Sequence, residues 1–316
     1  MSRPADIFRT TLLAAACVLA GLLLPGLPIL ALPLAALGLA RLWASGSRVL
    51  AVAAIAAASG LMALADPAAA LLVAVSMAAA GPVAVLALRT RSPLAVGTAL
   101  TGASFAATVG AQALTATWKG TTLVREVTTG AAEAVELVAS TLGEADMARV
   151  ADVQRLLVAT WPATYLQVAA AAALLATAAA GLGAQLGGLT VRRFPPLSRL
   201  DLPVHVLWLP VAAIGGLAAG RIAGLGWLQT AALNALLVSR VPLALQGLGV
   251  FAATYERVGL RKTGRVLGYA LAVFVELTTY AISLVGLIDF WANFRRLPRD
   301  GAPQGAQRLE EPGAPG

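Results

Sequence analysis

The chain has 316 residues, of which 59% are hydrophobic and 12% charged, with a mean hydropathy of +0.82. Soluble domains carry roughly 25% charged residues, so a water-soluble globular protein is excluded and an integral membrane protein is expected. The formal charge of +8 does not mark a nucleic-acid binder, because the basic residues fall in pairs at the ends of apolar runs rather than in one patch.

A membrane-crossing helix needs about 20 apolar residues. Arg3 and Arg9 precede the first apolar run, about 10–24, which lacks a small-x-small cleavage site and reads as an uncleaved anchor. Cys17 is alone in that run, so neither a disulfide framework nor a cysteine metal site is expected. Pro25-Gly26-Leu27-Pro28 hinges it to a second short run, about 28–43. Further runs follow at about 48–64, 68–88 and 93–115.

A polar interruption, 117–161, separates these from a span at about 162–184. Val124, Val127, Ala131, Val135, Val138 and Leu142 recur at steps of three and four, which predicts an amphipathic helix ending at Gly143. Thr141-Leu142-Gly143-Glu144 resembles a capping box for a second such helix, carrying Met147, Val150, Val153 or Gln154, Leu157 and Trp161. This hairpin is expected on the external face, as a lid, a docking surface or, more plainly, a surface layer on the bundle.

The C-terminal third holds runs at about 203–220, 226–256 and 265–289. The middle one is overlong and contains Arg240-Val241-Pro242, so it reads either as one kinked helix or as two short ones. Basic residues at Arg3/Arg9, Arg41/Arg48, Arg89/Arg91 and Arg192/Arg193/Arg199 occupy alternate connections, which places the N-terminus inside. Two later clusters, Arg257-Arg261-Lys262-Arg265 and Arg295-Arg296-Arg299, both favour the cytoplasm although one run separates them. A turn at Arg240–Pro242 reconciles them and leaves the C-terminus inside. The expected fold is an all-α polytopic membrane protein, a bundle of about 8–10 transmembrane helices with an external amphipathic hairpin. Its expected parts are a six-helix unit (1–200), C-terminal helices (201–297) and a disordered tail (298–316).

No enzymatic constellation is present. His205 is the only histidine, which rules out a histidine-pair metal site, and no nucleophile elbow or phosphate loop occurs. Neither catalysis, a cofactor nor a metal is expected. Polar residues inside apolar runs carry more information, because an unpaired one costs several kcal/mol in lipid, on the order of 2–7. Glu276 falls near the middle of the last run, with Tyr269, Thr279, Tyr280 and Ser283 spaced to share its helix face. Asn234 and Gln246 are milder cases. Glu276, Tyr280, Asn234, Gln246 and Tyr269 are therefore candidate small-molecule-binding residues, the alternative being hydrogen-bond glue between helices. Gly216, Gly220 and Gly224 are spaced for close helix packing. The last run ends Gly286-Leu287-Ile288-Asp289-Phe290-Trp291-Ala292-Asn293-Phe294-Arg295-Arg296, the order of a helix leaving a bilayer. Asp289, Trp291, Arg295 and Arg296 form a structural helix-end motif, in which Asp289 clamps Arg295 or Arg296.

That closing G-x-x-D-x-x-x-x-F-R pattern, with the Pro-broken opening pair, the helical insert before Trp161-Pro162, Asn234, and Gly247 or Gly249, resembles the YybS-like (DUF2232) family of uncharacterised bacterial membrane proteins. The family is distantly similar to the substrate-binding S components of energy-coupling-factor transporters, a six-span fold. The resemblance implies an inner-membrane protein in which Ala16 and Ala20 dock an energising transporter subunit. It supplies no substrate. Two functions are therefore expected in competition: small-molecule binding or transport, and a structural or assembly scaffold of the cell envelope that binds partner membrane proteins.

Overall fold

Inside a bilayer each backbone polar group must find its partner within the protein. Accordingly residues 28–64, 67–139 and 147–298, which the computed structural model describes, form helices and connections with no strand among them. The helices are α1 (Pro28–Ala44), α2 (Arg48–Ala63), α3 (Pro67–Ala78), α4 (Ala84–Leu88), α5 (Pro93–Trp118), α6 (Leu123–Ala139), α7 (Met147–Leu186), α8 (Trp208–Ile222), α9 (Gly226–Arg257), α10 (Lys262–Thr279) and α11 (Ala281–Ala292). A π turn, Ala79–Val83, joins α3 to α4 around Pro82. The protein is an all-α polytopic membrane protein. Among the described residues, five segments are long and apolar enough to cross a membrane: Ala70–Leu88, Pro93–Trp118, Ala151–Leu186, Val204–Ile222 and Gly226–Arg257. The bent pair α10–α11 makes up to six, while Leu32–Ala44 and Arg48–Ala63 are shorter apolar helices. The first run, Ala16 and Ala20, the capping box at Thr141–Glu144 and the C-terminal tail lie outside the described residues.

Two compact units are present, residues 28–194 with 208–241, and 195–207 with 242–298. In the first, α1 lies along α7 because small residues let the backbones approach. A Cβ on Gly187 would meet the Arg41 carbonyl and Ala44, and one on Gly183 would overlap the Leu37 carbonyl. Ala173, Ala176, Ala180 and Ala184 continue the seam and are buried. Gly81 sits on Leu39 and Gly97 on Leu174 in the same way. Gly216 and Gly220 face Ala232 and Gln229, so that glycine pattern packs α8 against the first turns of α9.

Two expected boundaries are absent. The hairpin's second helix and the span after it are one 40-residue helix, α7, running through Pro162. α9 is likewise one 32-residue helix through Arg240–Pro242, which removes the turn that was to reconcile the two basic clusters. A proline inside a helix frees carbonyls and disturbs the ladder, and at Pro162 a side chain from the opposite helix meets the need. Asn234 of α9 inserts its carboxamide one residue beyond Pro162: Nδ2 donates to Ala159 O at 2.7 Å and Oδ1 accepts from Ala163 N at 3.0 Å. It thereby stands in for an i→i−4 bond of α7. Gln167 of α7 donates in return to Leu237 O, a second tie between the two helices. Asn234 is thus placed as a helix–helix tie. Replacing Asn234 with leucine is expected to lower stability by about 1–2 kcal/mol, leaving both α7 groups unpaired. Unfolding in mixed micelles measures it, and an unchanged midpoint would contradict the bridge.

Candidate functional site

The frame of the second unit is a backbone contact between α9 and α11. A Cβ on Gly247 would overlap the Ile282 carbonyl, and one on Gly286 the Leu243 carbonyl. With no side chain between them the two helices touch, and the last turn of α11, beyond Gly286, is thereby set against α9.

Asp289 comes three residues after Gly286, on the same side of α11, and is fully buried. Asn293 ends the helix in the left-handed region (φ 44°), which asparagine tolerates better than most residues. The chain turns there and Arg295 folds back. Its Nη2 and Nε donate to Asp289 Oδ2 at 2.8 and 3.1 Å, and Phe294 N donates to Asp289 Oδ1 at 2.9 Å. Arg295 Nη2 also reaches Asp201 Oδ1 at 3.3 Å, and Nη1 donates to the Leu200 carbonyl. Gln246, with no exposed surface, donates from Nε2 to Asp201 at 2.9 Å and to Asp289 at 3.1 Å. Its Oε1 accepts from Leu202 N at 3.2 Å. Gly249 leaves the space that the Arg295 guanidinium fills. Two carboxylates thus share one guanidinium and one carboxamide, and it is these hydrogen bonds that make burial of the charges tolerable.

The same network joins segments far apart in sequence. Ser198 Oγ donates to Glu256 Oε1 at 3.0 Å, and Arg257 Nη2 donates to Phe294 O at 3.1 Å. Arg257 closes α9, just before α10, whereas Phe294 lies just beyond α11. The residue that closes α9 is thereby tied to the chain just beyond α11.

The pair α10–α11 is sharply bent. The axes of Lys262–Thr279 and Ala281–Ala292 differ in direction by 99°. The turn falls on Tyr280, a non-glycine residue in the left-handed region at φ 60°. This overturns the expected single polar face: Tyr269 and Glu276 lie on one helix, Ser283 on the next, and Tyr280 is the corner. Glu276 holds the corner. Its Oε2 accepts from Ser283 N at 2.9 Å and its Oε1 from Ser283 Oγ at 2.5 Å, so a carboxylate caps the N-terminal end of α11. A negative group is favoured at that end. Thr278 and Thr279 hydroxyls bond back to carbonyls of the last turn of α10.

Of the residues singled out by sequence, Gln246, Asp289 and Arg295 meet in one cluster. Glu276 and Tyr280 meet at the bend. Tyr269 packs edge-on against Tyr255, ring centroids 5.5 Å apart. Asn234 belongs to the first unit, and Trp291 and Arg296 are exposed. Between the alternatives Arg295 and Arg296, it is Arg295 that bonds Asp289. Asp201, Glu256 and Arg257 were missed. Asp201 is an acid at the entry to an apolar run, directly after a basic connection, and that contrast was a usable signal.

The family model described as a predicted membrane protein (DUF2232) matches residues 12–290. The chain belongs to this family. The match takes in Gly247, Gly286 and Asp289, and stops short of Phe294 and Arg295. Neither the curated proteins nor the solved structures contain a match to the chain. As a member of a family of predicted membrane proteins, the chain sits in a lipid bilayer.

Proposed function

We propose that this protein binds or transports a small molecule, and that Lys262–Ala292 is a re-entrant helix pair that enters the membrane and leaves on the same side. The observation carrying this is the bond from Arg257, the last residue of α9, to the Phe294 carbonyl just beyond a pair bent by 99°. Re-entrance removes the conflict between the basic clusters at 257–265 and 295–299, since both then lie in the cytoplasm with Arg192 and Arg193. The N-terminus is cytoplasmic and the membrane is the cell's inner membrane on this reading. Broken helices with an ionisable side chain at the break mark binding sites in many transporters. Here Glu276 and Tyr280 are those residues, in a binding rather than a catalytic role. On the S-component-like version, an energising subunit docks on Ala16 and Ala20.

Purification in mild detergent followed by mass spectrometry of bound molecules tests this. A small molecule retained by the wild type and lost in Glu276→Ala, with the melting temperature lowered only modestly, is expected. Retention of the same molecule by both, or of none by the wild type, counts against it. A specific observation favours the scaffold as second reading: Ala212, Gly215 and Ala219 form an exposed small-residue face on α8, of the kind that accepts a partner helix. Co-purification of a membrane protein that is lost in Gly215→Leu would support it.

A further inference from the structure

A cleft of about 360 Å³ lies between the π turn with α4 and the first half of α5. Six alanines line it: Ala79, Ala84, Ala87, Ala95, Ala99 and Ala103. Facing small residues usually let helices close up; here the gap stays open, and it is flanked by the π turn. An apolar void of this kind does not hold water, so in a bilayer hydrocarbon fills it. From Ala95 to Ala103, and from Ala79 to Ala87, the walls run roughly 12 Å. That approaches the ~15 Å of one leaflet of hydrocarbon.

One end of the cleft is charged. Among the described residues Arg91 is the only ionisable one lining it; it is exposed and has no side-chain hydrogen bond or ion pair with any of them. It immediately precedes the N-terminal end of α5, capped by Ser92, where a negative group is favoured. Arg192 N donates to the Leu88 carbonyl at 2.9 Å, which brings Arg192 and Arg193 to the same end as Arg89 and Arg91. The sequence has no acidic residue from 67 to 125 or from 153 to 200, so no carboxylate on these segments competes.

We propose that this cleft binds an anionic phospholipid, one acyl chain lying between the alanine walls and the headgroup phosphate meeting Arg91. The site is independent of the re-entrant pair. The test places the full-length protein in nanodiscs of equal phosphatidylglycerol and phosphatidylcholine, and reads by native mass spectrometry which lipids remain bound on release. The wild type is expected to retain one phosphatidylglycerol over phosphatidylcholine by about five-fold, the preference one basic residue near an anionic surface provides. Arg91→Gln should abolish the preference while hydrocarbon still binds, and Ala99→Trp should exclude the lipid altogether. Ala103→Leu replaces Ala99→Trp if the latter does not fold. Arg221→Gln, at the far end of α8, should change nothing. Equal retention of both lipids by the wild type, an unchanged preference in Arg91→Gln, or an equal loss in Arg221→Gln would overturn the proposal.

Discussion

Replacing Asp289 with alanine is expected to destabilise the protein by about 3–5 kcal/mol, the cost of breaking a buried ion pair from one side. The Arg295 side chain is only 1% exposed and loses its two bonds to Asp289 Oδ2, while Phe294 N and Gln246 Nε2 lose an acceptor each. Asp201, 28% exposed and bonded to Arg295 at the longer distance of 3.3 Å, compensates only in part. The double change Asp289→Leu with Arg295→Met removes both charges and should recover much of the loss, because an apolar pair carries no desolvation penalty. Equilibrium unfolding of the wild type, Asp289→Leu, Arg295→Met and the double variant in mixed micelles gives the coupling. Additive losses would mean that the two side chains do not act as a pair.

The second large effect is expected at Gly286. A methyl group there overlaps a backbone carbonyl of α9, which cannot move without shifting the helix. Gly286→Ala should therefore cost about 3 kcal/mol, at the upper end for overpacking. As α11 lifts, Gln246 and Asp289 separate, so the loss should not add to that of Asp289→Ala. Gly268→Ala is the control. Its methyl would meet the ring of Tyr255, a side chain able to turn away, and its cost should stay below about 1 kcal/mol. Equal losses at the two glycines, by the same unfolding measurement, would contradict the tight crossing.

The all-helical membrane fold was legible because apolar runs of span length exclude little else. The order Gly286, Asp289, Arg295 was legible as a helix end, since an acid and a base there can neutralise each other only if the chain turns back. Tyr280 was not legible. The polar spacing at Tyr269, Glu276 and Ser283 continues unbroken through it, and periodicity cannot register a corner at a residue that rarely adopts φ 60°. Thr278 and Thr279, weak helix formers, were the sole local hint. Asn234 was recognisable as a residue needing a partner, but the gap it fills lies 71 positions away, beyond Pro162. Pro162 reads as a boundary because local rules cannot foresee a carboxamide from another helix repairing the ladder, and Pro242 because a proline more often ends a helix than sits inside one.

Sidedness at the two ends of α10–α11 tests the central claim most directly. In a Cys17→Ser background, single cysteines at Lys262 and Pro298 flank the pair and are exposed. They can be labelled by a membrane-impermeant maleimide in right-side-out and inverted vesicles. A re-entrant pair predicts that both cysteines react from the same face, the cytoplasmic one. Labelling from opposite faces would show that Lys262–Ala292 crosses the membrane, and would contradict the account.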